Sequence, residues 1–304
     1  MSLPDFDLRI RMAAFDWLAG QIEIHGDVLP RRPLLERGFL FNEEYIPLVS
    51  PQGIYKPRQM DLPLTITTTT GGPYDDHFGT DGLLSYSYRG TNPNHPDNAG
   101  LRRAMQLKKP LIYFHAVVPN QYLAVWPVYL VSDNPAGLAF TVAVDDSDSV
   151  RRLAGELPAL AEEPVGKRQY ITAVVRRRLH QRSFRERVLA AYRETCAVCR
   201  LRHRELLDAA HIIPDYEEAG RATVDNGLSL CKLHHAAFDS FILGVSPDYF
   251  VQVRADVLVE EDGPLLRHGL QGLHNTRLAL PARRENHPSR EALAWRYEQF
   301  TGAR

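Results

Sequence analysis

Residues 196–243 read CAVCRLRHRELLDAAHIIPDYEEAGRATVDNGLSLCKLHHAAFDSFIL. Two pairs of ligand-type residues bracket this stretch. Cys196 and Cys199 are separated by two residues, and so are Cys231 and His234. A tight turn at that spacing brings two side chains onto one ion. Together the pairs offer the three thiolates and one imidazole of a closed tetrahedral zinc site. All three cysteines of the chain fall here. Three buried thiols gathered by chance would not also set a histidine in register. Such a site is expected to be structural, a staple for a unit with a thin core. Three cysteines cannot build a disulfide framework, so a reducing cytoplasm is the expected home.

The residues between and after the pairs carry the chemistry. His211 stands in Ala209-Ala210-His211-Ile212-Ile213-Pro214, Asn226 in Asp225-Asn226-Gly227-Leu228, and His234-His235 is followed by Asp239. This order resembles the HNH nucleases of the ββα-metal class. The resemblance implies that His211 ends the first strand and acts as general base on an attacking water. It implies that Asn226, in the loop before the helix, holds that loop and orients the base. It also implies that His235 and Asp239 grip one divalent cation, Mg or Mn, because i,i+4 spacing puts both on one helix face. His234 then points to zinc. Many relatives carry a metal-binding Asp or His directly before the base, where this chain has Ala210. Asp208 is a substitute candidate, although an offset of three along a strand sends a side chain to the other face.

Upstream, the first ~150 residues are rich in Pro, Gly, Thr and aromatics and read as strands at 62–70, 83–88, 111–118, 122–131 and 138–144. Helices are expected at 8–19 and 100–108. The stretch 70–90, TGGPYDDHFGTDGLLSYSYRG, resembles the SRA domain, a PUA-like β-barrel that grips a flipped 5-methylcytosine in duplex DNA. The resemblance implies that Tyr74 and Tyr88 stack the base and that Asp76, or else Asp75, accepts from the cytosine amine. Arg89 and the loop 91–98 would enter the groove. Tyrosines at these positions in a barrel equally suit its core or rim.

Net charge is −1, but the run Lys167 to Arg204 holds 12 Lys and Arg against 2 Glu, a local +10, leaving −11 elsewhere. That density suits a phosphate-binding surface with Arg176, Arg177 and Arg178 on the DNA backbone; a solvated helix face gives the same pattern. Residues 145–164 turn to Asp, Ser, Gly, Pro and Glu. The expected organisation is α+β: a reader at 1–150, a basic linker at 151–181 and a zinc-stapled nuclease at 182–304. The nuclease unit would open on a helix capped by Ser183 and Glu186, with Phe184, Val188, Leu189 and Tyr192 on one face. No secretory signal or membrane span is expected, because His115, Pro119, Asn120, Gln121 and Pro127 break the most apolar stretch. The resemblances together imply a prokaryotic, modification-dependent restriction endonuclease. It would work as a homodimer on duplex DNA carrying 5-methyl- or 5-hydroxymethylcytosine, associated with the nucleoid when bound. The alternatives are a nuclease or nickase without methyl specificity and a degenerate, zinc-stapled DNA-binding protein. A segment at 289–300, with Leu293, Tyr297 and Phe300 in helical register, would serve the dimer interface or pack on its own domain.

Overall fold

A computed structural model describes residues 6–68, 77–78, 83–144 and 165–302. The chain divides into two compact units, Met1–Leu179 and His180–Arg304. Both mix helix and strand. No helix among the described residues is long and apolar enough to cross a membrane.

The first unit opens with α1, Phe6–His25, where Ile10, Ala14 and Leu18 recur every fourth residue and are buried. Arg11 on this helix is buried too. Asp7 and the carbonyls of Pro63 and Pro110 satisfy its guanidinium at 2.7–2.9 Å. Seven strands follow: β1 (Val28–Pro30), β2 (Phe39–Phe41), β3 (Glu44–Ile46), β4 (Ile54–Tyr55), β5 (Thr65–Thr68), β6 (His77–Phe78) and β7 (Leu84–Ser87). Helix α2 (Pro96–Gln106) leads to β8 (Leu111–Val118), β9 (Gln121–Asn134) and β10 (Ala139–Val144).

One sheet runs β4-β5-β8-β9-β10-β7-β6, with β1 added on β9, while β2 and β3 form a separate hairpin. Among the described residues, β5 and β8 are the one pair that runs parallel. The β8–β9 ladder slips between its Tyr113–Val125 and Leu111–Val128 pairs, on either side of Pro127. That is where a residue without an N–H fits a strand, and such slips bend a sheet. Alternate residues of β8 enter different cores. Ile112 and Phe114 pack in the cluster that contains α1, Leu111 and Tyr113 in the cluster that contains Leu101 of α2. The expected barrel is an open sheet here: among the described residues no ladder joins β4 to β6.

Tyr88 requires a correction. It is 1% exposed, with its ring 4.7 Å from that of Phe140 and its hydroxyl bonded to Asp133 and Arg102. The alternation that marks 83–88 as a strand also turns Tyr88 inward, so its ring faces core and is not a free surface for a base.

Helix α3 (Val165–Ala191) ends in the second unit. Residues 165–181, expected as linker, are its first turns. Ser183 and Glu186 therefore lie inside a helix and form no cap. The Ser183 hydroxyl is buried without a hydrogen-bond partner, and Glu186 pairs with Arg185 and Arg204. The apolar face is as expected, with Phe184, Val188, Leu189 and Tyr192 all buried. Next come β11 (Leu207–His211), β12 (Gly227–Cys231), α4 (Lys232–Asp239), β13 (Leu243–Val245), β14 (Val251–Val253), α5 (Ala255–Leu258), α6 (Pro264–Gly269) and α7 (Arg290–Gly302). Helix α7 packs on its own unit. Leu293 and Phe300 are buried, and the Phe300 ring sits where a side chain on Gly244 would come within 2.6 Å.

Candidate active site and metal centre

Strands β11 and β12 form an antiparallel hairpin, from Leu207 opposite Cys231 to His211 opposite Gly227. Helix α4 starts at the next residue. This ββα order places the last residue of β11, His211, and the helix residues His235 and Asp239 in one electrostatic neighbourhood. Asn226 sits in the turn before β12 rather than before the helix. It is buried, accepts from the Ile213 N–H and donates to the carbonyls of Ile213 and Arg221, each at 2.9 Å. It thus closes the loop 212–225 onto the end of β11. Ala210 is buried in the core, so the position before His211 offers no ligand.

The His211 ring is set by stacking. Phe184 of α3 lies 3.9 Å away, centroid to centroid, with 14° between the planes. Nε2 is buried with no hydrogen-bond partner among the described residues. Burial pushes the ring below the usual histidine range, with Asp215 and Asp239 pulling the other way. A neutral ring at neutral pH is the form a general base needs.

His235 stands between two carboxylates. Its Nε2 is 3.3 Å from Asp239 Oδ2, and its Nδ1 is 3.7 Å from Asp208 Oδ2. Asp208 therefore faces the helix, against the expectation for a residue three before His211. Arg185 of α3 holds it there, with Nε 3.4 Å from Oδ1 while Nη2 donates to the Leu207 carbonyl at 2.9 Å. Burial alone would raise the Asp208 carboxyl. His235, the Ala209 amide and Arg185 outweigh that and hold it low. The Asp208 carboxylate, with Asp239 behind it, holds His235 above its ordinary range. On the far side Arg296 of α7, 7% exposed, reaches Asp239 Oδ1 at 3.8 Å and donates to the Phe238 carbonyl at 3.0 Å. Its guanidinium lies over the rings of Phe238 and Phe241. Bonds of about 2.1 Å put adjacent ligands of an octahedral cation about 3 Å apart, so the His235–Asp239 pair fits two of its positions.

The zinc set converges. The donor atoms of Cys196, Cys199, Cys231 and His234 all lie within 4.8 Å of one another. Zn–S bonds of about 2.3 Å place two sulfurs about 3.8 Å apart, and Cys199 and Cys231 are 3.9 Å apart. His234 turns Nδ1 to Cys196 and Cys231, at 3.5 and 3.1 Å, while Nε2 donates to the Gly269 carbonyl at 2.8 Å. That outer bond fixes the tautomer a ligand needs. Hydrogen bonds from the thiols of Cys199 and Cys231 favour the thiolate of Cys196.

Tyr74, Asp75 and Asp76 lie outside the described residues. Arg89, expected on the DNA backbone, pairs with Asp97 and donates to Gln52. Arg176, Arg177 and Arg178 fall on α3. Phe184, Arg185 and Arg296 were not foreseen in these roles. Phe184 was visible only as one residue of an apolar helix face, Arg185 as one of a basic run, and Arg296 had no signal.

An HNH endonuclease family model matches residues 196–246. No curated protein matches the chain. Among solved structures, the modification dependent TagI restriction endonuclease is similar at 17% identity and a TM-score of 0.31, over 78% of this chain and 81% of that one. The Type IV phosphorothioation-dependent restriction endonuclease ScoMcrA is similar at 14% identity and a TM-score of 0.23, over 61% of this chain and 54% of that one.

Two outcomes follow from the geometry. A Cβ on Gly227 would come within 2.5 Å of Val188 and 2.9 Å of Phe184. Gly227→Ala should therefore cost about 1–3 kcal/mol by overpacking and push Phe184 off His211. Ring-proton NMR should then show the His211 pKa rising as its burial is relieved; an unchanged titration would deny the stacking its role. Cys231→Ala should lose one bound zinc per chain by elemental analysis and lower the melting temperature of the second unit. Full zinc content in that variant would remove Cys231 from the site.

Proposed function

We propose, from the HNH endonuclease domain that residues 196–246 form, that the chain is a metal-dependent, modification-dependent restriction endonuclease. Its substrate is duplex DNA with a modified cytosine, 5-methyl or 5-hydroxymethyl. The first unit reads the base by flipping it out, and the second hydrolyses a phosphodiester bond nearby. The observation that carries the nuclease part is a His211 ring stacked on Phe184 and lying within electrostatic reach of the His235–Asp239 pair.

In this reading His211 takes the proton of the attacking water as the new P–O bond forms and the bond to the leaving deoxyribose oxygen breaks. Phe184 fixes the plane of the ring, and Asn226 fixes the loop behind it. His235 Nε2 and Asp239 hold the divalent cation. When bound, that cation supplies positive charge to the phosphate and the leaving oxygen. Asp208 faces the opposite nitrogen of His235, so its work would be to orient the ring with Nε2 toward the metal. It is a positioning residue rather than the extra ligand expected from sequence. Oxygen and imidazole donors suit Mg or Mn there, and thiolates keep zinc at the other site. Cutting both strands takes two such centres, so two copies act on one duplex. A prokaryotic cytoplasm, with the enzyme on the nucleoid when bound, is the setting this implies.

The reader part rests on the resemblance of 70–90. Tyr74 and Asp76 remain its candidate base contacts; Tyr88 packs in the sheet core. Arg89 and Arg176 to Arg178 remain candidate backbone contacts.

Matched methylated and unmethylated duplexes with Mn²⁺ or Mg²⁺ test the reading. The modified duplex alone should be cut. Equal cutting of both would remove the reader, and no cutting of either would leave a zinc-stapled binding protein. His211→Ala should slow cleavage about 10²–10⁴-fold and leave binding intact. Because burial depresses the His211 pKa, the base stays neutral below its ordinary value. The acid limb of the rate profile should therefore fall below pH ~6.5, and a limb above that would assign it to another group.

A further inference from the structure

The first unit carries a cavity of about 420 Å³ that none of the preceding functions uses. It is lined by Tyr45 and Pro47, at and beyond the end of the β2–β3 hairpin, and by Tyr55, Lys56, Arg58 and Gln59, from β4 and the turn that follows. The volume lies in the range of small-molecule sites. None of these residues belongs to the stretch 70–90.

The lining combines two kinds of chemistry. Tyr45 is 48% exposed although it is large and aromatic, and the Arg37 guanidinium lies 4.3 Å from its ring centre. Tyr55 is half-buried, and burial pushes its hydroxyl up, so the ring stays neutral. The lining cations are Lys56 and Arg58, while Arg37, outside the lining, stacks on one face of Tyr45 and donates to its hydroxyl. The Arg58 side chain is 80% exposed. Lys56 is anchored by a bond from Nζ to the Met60 carbonyl at 2.9 Å. One carboxylate belongs to the group. Glu44 accepts from Gln59 at 2.8 Å and lies 3.3 Å from Arg58. Gln59 and Arg58 hold it ionised, so it fixes both residues. Cations exceed the carboxylate, so the cavity favours an anion. The bond to Glu44 uses the Gln59 amide as donor and leaves Oε1 to accept from an amine.

Aromatic faces, an amide and a surplus of cations match the parts of a nucleotide, a ring to stack on and a phosphate to pair with. We propose that this cavity takes one unstacked nucleotide of the bound DNA, its base against Tyr45 and Tyr55 and its phosphate on Lys56 and Arg58. The inference rests on the reading that the chain binds DNA. It adds a contact on the first unit that uses no residue of the stretch 70–90.

The test uses the full chain in Ca²⁺ buffer and two fluorescein-labelled duplexes, one fully paired and one with a single unpaired thymine. Tyr45→Ala and Arg58→Ala should each weaken binding of the bulged duplex about tenfold, while Tyr45→Phe, which keeps the ring, binds as wild type. Replacing the unpaired thymine by 5-bromodeoxyuridine and irradiating should give an adduct on the peptide holding Tyr45 or Tyr55. Wild-type affinity in both alanine variants, or adducts only on other peptides, would overturn the proposal. Failure of the wild-type chain to bind either duplex is a different result and would sink the DNA reading itself. Thermal melts of the three variants separate a lost contact from a lost fold.

Discussion

Residue 227 has no side chain, and α3 occupies the space where one would be. That close approach lets Phe184 lie flat on His211. The histidine has no hydrogen bond on Nε2 to set its angle, so ring-on-ring packing takes over that task. The same packing removes water from one side of the imidazole and lowers its pKa. Orientation and protonation state therefore come from one contact, between a helix and a hairpin, and both depend on a glycine. A buried, unpaired ring nitrogen costs stability, and its retention fits a site where the base is held by shape.

Two adjacent histidines divide the second unit's metal chemistry. A helix turns about 100° per residue, so His234 and His235 cannot face the same ion. His234 goes inward to three thiols, and His235 goes to two carboxylates. The thiolate set suits zinc, and the imidazole–carboxylate set would suit a harder ion. In each case the second nitrogen of the ring meets an oxygen: the Gly269 carbonyl for His234, Asp208 for His235. Eight residues of helix, Lys232–Asp239, thus carry a residue of each group.

The parts of this site that were legible in sequence are local. The two cysteine-type pairs follow from spacing, because a tight turn imposes a fixed separation, while the strand ending at His211 and the helix carrying His235 and Asp239 came from the resemblance of the motif order to the HNH nucleases. The parts that were not legible come from elsewhere in the chain. Phe184 and Arg296 reach the site from helices that lie 27 positions before His211 and 57 after Asp239, and no local rule links them. Asp208 misled because a carboxylate's direction is set by its partners as well as by the pleat, and Arg185 and His235 flank this one. Ser183 and Glu186 imitated a cap because the same residue types also occur inside helices when tertiary partners claim them. In the first unit the strands 111–118 and 138–144 were read almost to the residue. The role of Tyr88 was not, since core and pocket use the same alternation.

The basic run shows why charge density needs the structure beside it. Of its arginines, Arg185 pairs with Glu186 and Asp208, and Arg204 pairs with Glu186 and Glu194. Arg187 donates to the carbonyls of Ser183 and Ala222, and burial lowers its pKa. These three side chains tie α3 to β11 and to the loop that Asn226 closes. They still add to the long-range field that draws a polyanion, but their donors are already committed and release few counterions on contact. Arg193, Arg200 and Arg202 are exposed beside the Cys196–Cys199 turn. Cys196 and Cys199 belong to the group that could hold a zinc ion, so metal binding there would fix the turn beside which these cations lie.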